Sequence, residues 1–145
     1  MSKTYGASCS WESWGKDKDL AIRRLVESDD HPCKTRAEAE AYLQKYVPFE
    51  KYYQSKILQM IKRCYPSAVA WKAAAGSYSS GGVPDICVVY EGHFYGFEVK
   101  RPFFGRESEL QKKFIARIRE AGGVAEVVCY PSEVAAILDG GGVDE

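Results

Sequence analysis

The chain has 145 residues, 28% of them charged and 46% hydrophobic, with a formal net charge of zero, as in an ordinary globular domain. No apolar stretch approaches the ~20 residues of a membrane span, residues 1–6 hold no apolar signal core, and Ser2 stands where N-myristoylation needs glycine, so a cytoplasmic location is expected. Five widely spread cysteines without a C-x-x-C pair argue against a zinc ribbon or a disulfide framework.

Charge is unevenly distributed. Residues 51–84 carry five basic side chains and no acidic one, residues 99–119 carry seven basic against Glu107 and Glu109, and residues 120–145 carry six acids and no base. A basic middle can be a phosphate-binding face or simply solvated helix surface.

In chain order, the first 48 residues read as a helical extension. Leu20, Ile22, Leu25 and Val26 suggest a short helix, which His31-Pro32 breaks. Thr35-x-x-Glu38 is a capping box opening a second helix through Tyr46, and Pro48 ends it. From residue 49, the apolar positions Tyr53, Ile57, Met60, Ile61 and Cys64 recur at helical spacing until Pro66. A strand follows over 68–75, then the polar loop 76–82. Residues 85–90 and 94–100 read as two strands around a Glu91-Gly92 turn, with Pro102 blocking further pairing. Ser108-x-x-Gln111 caps another helix, with Leu110, Phe114, Ile115 and Ile118 as its apolar stripe and Gly122-Gly123 at its end. Residues 124–130 form a fourth strand, and a short helix runs from Pro131 to about Leu138. The α-β-β-β-α-β order predicts an α/β fold with a mixed four-stranded sheet flanked by helices.

With the turn centred between Glu91 and Gly92, opposed residues sum to 183, so Asp85 faces Glu98 on one face of the sheet and Lys100 shares that face. Two carboxylates directly opposed need compensation, and a hard cation with oxygen ligands, Mg²⁺ or Mn²⁺, supplies it. A one-residue slip would send the pair to opposite faces. Taken singly, the same residues read as a turn Asp and an exposed Glu/Lys pair.

Gly82-Val83-Pro84-Asp85, Gly92-x-Phe94, Phe97-Glu98-Val99-Lys100, Gln111 and Ala121-Gly122-Gly123, preceded by Glu50, Gln54 and Ile57-Leu58, together resemble the VRR-Nuc domain of the PD-(D/E)XK nuclease superfamily. The resemblance covers about residues 49–133 and implies a division into a helical extension, 1–48, and a nuclease domain, 49–145, with a restriction-endonuclease-like αβββαβ core. It implies Asp85 and Glu98 as metal ligands, the Val99 carbonyl completing the shell, a further carboxylate from Glu50, Lys100 positioning water and stabilising phosphate charge, and Gln111 orienting its neighbours. Glu50 is also explained by the helix dipole and Gln111 by the capping box. Lys72, Arg101, Arg106 and Lys112 are candidate contacts to nucleic-acid phosphates. Gly81 and Gly82 would allow close approach of backbone to phosphate, and Tyr78 is a candidate for base stacking.

The expected activity is metal-dependent hydrolysis of DNA, selective for flaps or four-way junctions, as in the repair, recombination, phage or mobile-element nucleases that the resemblance brings to mind. A homodimer would present two sites to a junction. The competing reading is a nuclease-fold module that binds nucleic acid without cutting it.

Overall fold

A computed structural model describes residues 9–27, 33–73 and 82–140. The described chain divides into two compact units. One runs up to Phe49 and takes in Arg101–Gly105; the other comprises Glu50–Lys100 and the chain from Arg106 onward.

In the first unit a 3₁₀ turn, Cys9–Trp14, precedes helix α1, Lys18–Glu27; the sequence pattern did not foresee this turn. Trp11 is fully buried and meets Trp14 and Phe103 edge-on, with ring centroids 5.2 and 6.0 Å away. Helix α1 buries Ala21, Ile22 and Leu25. The His31-Pro32 break lies outside the described residues. Helix α2, Arg36–Tyr46, starts where expected: the Thr35 side chain accepts from the Glu38 N–H. Glu38 accepts in return from the Lys34 N–H, one residue earlier than the expected box would place it.

The second unit begins with α3, Glu50–Cys64, whose buried stripe is Tyr53, Gln54, Ile57, Met60 and Ile61. Then come β1, Val69–Lys72; β2, Ile86–Tyr90; β3, His93–Val99; α4, Glu109–Glu120; β4, Val124–Val128; and α5, Pro131–Leu138. The order is the expected α-β-β-β-α-β. The sheet runs β1-β2-β3-β4, antiparallel except for the parallel β3–β4 pair, whose crossover carries α4. Strand β1 is shorter than expected. Residues 74–81, including Tyr78 and Gly81, lie outside the described residues.

The hairpin register is the expected one: Ile86 pairs with Phe97 and Tyr90 with His93. Glu91 (φ 50°) and Gly92 (φ 81°) make the tight turn with both residues left-handed, as a two-residue hairpin loop requires. Strand alternation then sorts the sheet. Ile86, Val88, Phe97 and Val99 are fully buried on one face. Tyr65, just after α3, stacks edge-on with Tyr90 of that face and donates its hydroxyl to the Ala135 carbonyl and the Asp139 carboxylate, joining α3 to α5. The opposite face carries Asp85, Cys87, Gly96 and Glu98 and is covered by α4.

Two glycines set how closely α4 and the Pro84-Asp85 segment approach. Gly82, at φ 84°, lies against the Leu110 carbonyl, with no room for a Cβ. At Gly96 a Cβ would sit 2.9 Å from Pro84 Cγ. Leu110 is 54% exposed and does not join the helix's apolar stripe; its backbone, rather than its side chain, makes the contact. Among the described residues no helix is long and apolar enough to cross a membrane.

Candidate active site

Asp85 enters β2 directly after the buried Pro84. Its carbonyl accepts from the Ala73 N–H at 2.8 Å and its Oδ2 from the Val99 N–H at 2.8 Å. Side chain and backbone are thus both fixed before any ligand arrives. Glu98 lies on β3 in the register that opposes it to Asp85 and is 2% exposed.

The Glu98 carboxylate is held asymmetrically. Oε2 accepts from Gln111 Nε2 at 2.6 Å and lies 3.4 Å from Lys100 Nζ. Oε1 is sealed from solvent and has no hydrogen-bond partner among the described residues. Burial pushes the Glu98 carboxyl up to about 8, the neighbouring Asp85 charge adds to the rise, and Lys100 pulls the other way. Without a cation, the pocket therefore favours a proton on Glu98.

Gln111 holds Glu98 through the helix cap. Its N–H donates to Ser108 Oγ at 3.1 Å and its Oε1 accepts from the Ser108 N–H at 2.8 Å, leaving Nε2 to donate to Glu98. One side chain thus makes both the capping bond and the bond to Glu98.

The residues present fit a divalent cation. Asp85 and Glu98 offer hard oxygen donors, and no donor among the described residues fills the sealed Glu98 oxygen. The side chain of Val99 is fully buried and its N–H is committed to Asp85, so only its carbonyl is available for the role expected of it. Glu50 is the first residue of α3 and half-buried. Among the described residues no three His, Cys, Asp or Glu side chains gather into one metal-holding group, so Glu50 stands apart from the Asp85–Glu98 pair.

The candidate phosphate contacts separate. Lys72 ends β1, exposed, paired with Ile86 beside Asp85. Arg106 is exposed in the segment before the Ser108 cap. Lys112 is exposed and pairs with Glu109 at 3.3 Å, a surface contact of little energetic weight. Arg101 corrects the expectation. It is 7% exposed, its guanidinium donates to the carbonyls of Leu43, Gln44 and Val47 and to the Gln44 side chain, and it lies over the Phe49 and Phe104 rings. A cation spent on the carboxyl end of α2 is not free for phosphate. Gly82 is also reassigned: its close approach is to the Leu110 carbonyl. The Pro84–Gly96 contact that seats Asp85 was not foreseen, because a lone strand glycine in sequence does not say what lies over it.

No protein-family model matches the chain, and no curated protein matches it. The structure is similar to a solved chain described as a VRR_NUC domain, at a TM-score of 0.49 and 19% identity, over 60% of this chain and 95% of that one.

Proposed function

We propose that this chain is a metal-dependent nuclease that hydrolyses DNA phosphodiester bonds at Asp85, Glu98 and Lys100. The observation that carries the reading is the buried Glu98 carboxylate facing Asp85 with one oxygen unfilled and Lys100 beside the other. Mg²⁺ or Mn²⁺ held there would activate the attacking water and neutralise phosphate charge. Asp85 and Glu98 would supply the anchoring oxygens and the Val99 carbonyl a further donor, while Glu50, which stands apart from the pair, would reach the ion only through water. Lys100, 3.4 Å from Glu98, would donate to a phosphate oxygen or to the attacking water, and its charge would favour the transition state. Gln111 holds Glu98 Oε2, which would leave Oε1 for the cation. Flap or four-way junction substrates, and a homodimer to engage the latter, are the finer form of this reading.

A cleavage assay over single-stranded, duplex, flap and four-way DNA, with and without Mg²⁺ or Mn²⁺, tests it. We expect metal-dependent cutting that falls on the order of 10³-fold in Asp85→Asn and 10²- to 10³-fold in Lys100→Ala, corresponding to several kcal/mol of lost transition-state stabilisation. Full activity in both variants, or no cutting of any substrate with either metal, sinks the proposal. Binding without cutting would instead support a nucleic-acid-binding module. A strict monomer by sedimentation would count against the junction form.

A further inference from the structure

A second feature of the same unit lies outside the carboxylate site. Helix α3 and the end of β1 enclose a cleft of about 270 Å³ lined by Lys51, Gln54, Ser55, Leu58, Gln59, Lys62 and Lys72. All three lysines are exposed, and no acidic residue is among the described residues that line it. The lysines on α3 follow helical spacing with Gln54, Ser55 and Gln59 between them, so they share one face. From Lys51 to Lys62 the helix advances about 16 Å, close to five nucleotides at duplex spacing.

One member of the cleft is unusual. Gln54 is 7% exposed, and its Oε1 is sealed without a hydrogen-bond partner among the described residues. A buried amide oxygen left unpaired is costly in a fold that needs nothing there. Gln59, its neighbour in the cleft, has its amide satisfied by Ser55 Oγ at 3.0 Å. The cleft thus combines three positive charges with a carboxamide that lacks its partner.

Lys72 pairs with Ile86, and the next residue, Ala73, donates its N–H to the carbonyl of Asp85. Lys72 thus shares the Ile86 face of the sheet, and the cleft lies at the same end of the sheet as the carboxylates but on the opposite face. We propose that this cleft is a binding track for the sugar–phosphate backbone of a nucleic acid, with Lys51, Lys62 and Lys72 on phosphates and Gln54 turned to a base donor, holding the strand at the end of the sheet that carries Asp85. The inference rests on the nuclease reading for its substrate.

The test measures binding without cutting. Fluorescein-labelled 20-nucleotide duplex and its single strand are titrated in EDTA at several salt concentrations, and folding of each variant is checked by thermal unfolding. The triple variant Lys51→Ala/Lys62→Ala/Lys72→Ala is expected to bind at least tenfold more weakly, with the salt slope reduced by about one per lysine. Gln54→Leu is expected to raise the unfolding temperature yet weaken binding several-fold. Arg63→Ala, which removes one exposed charge of α3 outside the cleft, serves as the control and should bind like wild type. Triple-variant affinity no weaker than that of Arg63→Ala, or unchanged binding in Gln54→Leu, overturns the track. Wild-type protein that binds in this way but cuts nothing with Mg²⁺ or Mn²⁺ sinks the nuclease reading and leaves the track standing.

Discussion

Lys100 and Arg101 are consecutive basic residues that end in different units and in opposite electrostatic situations. Arg101 is buried against neutral carbonyls at the end of α2, with nearly every donor of its fork used. Lys100 stands beside a carboxylate whose other oxygen has no hydrogen-bond donor among the described residues and whose neighbour is a second carboxylate. The first arrangement is complete and holds a helix in place. The second is incomplete, and a ligand can finish it. Whether a buried charge is satisfied, more than whether it is buried, separates structure from site.

The sharpest way to break this comparison is at its completed half. Arg101→Met should cost about 2–4 kcal/mol of stability, because several carbonyls lose a charged donor at once. Arg101→Lys should recover little of it, since a point charge cannot serve the same fork. Chemical denaturation measures both. Loss of DNA affinity without loss of stability would return Arg101 to the phosphate contacts.

The incomplete half should respond the other way, and with pH. In the metal-free fold the Glu98 carboxyl keeps its proton to about pH 8, whereas in the unfolded chain it would release it near the ordinary 4.5. The native state binds that proton more tightly, so this group's contribution to stability is fully present below about pH 4.5 and is lost as pH rises to about 8. Glu98→Gln should abolish that slope and leave the metal-free protein more stable near pH 8, while removing metal-dependent activity. In the wild type, stabilisation by Mn²⁺ should grow over the same pH range, because binding displaces the proton. Thermal unfolding in EDTA and in Mn²⁺, from about pH 5 to about pH 9, reads out both effects. A flat wild-type profile would mean that Glu98 is charged throughout.

The smallest expected change is at the link between cap and site. Gln111→Ala should cost about 1 kcal/mol through the lost half of the capping box and weaken Mn²⁺ binding about tenfold or more through the freed Glu98. Isothermal titration and thermal unfolding separate the two. A loss of stability with unchanged Mn²⁺ affinity would reduce Gln111 to a cap.

Much of this was legible in the sequence. The Glu91-Gly92 turn dictates a two-residue loop, the loop dictates the register, and the register places Asp85 opposite Glu98. The Thr35 and Ser108 helix caps could be read from residues three apart in sequence. What could not be read depends on how elements lie on one another. The reach of Gln111 to Glu98 depends on where α4 sits on the sheet, and that seat is set by Gly82 and Gly96 through contacts that no periodicity reveals. Arg101 misleads for a different reason: an arginine beside a lysine in a basic stretch is read as surface by default, and only the carbonyls of α2 show otherwise.

Gly82 and Gly96 also govern which substitutions the site can tolerate. Each lacks space for one more carbon, one against the backbone of Leu110 and the other against the ring of Pro84. Asp85 and Glu98 can be exchanged for amides of nearly the same shape while the fold stands. The glycines have no such neighbour in shape. Selection for folding alone would therefore hold the glycines and release the acids, whereas selection for chemistry would hold all four. A lineage that kept this fold without the proposed chemistry would carry its history as two intact glycines beside altered carboxylates.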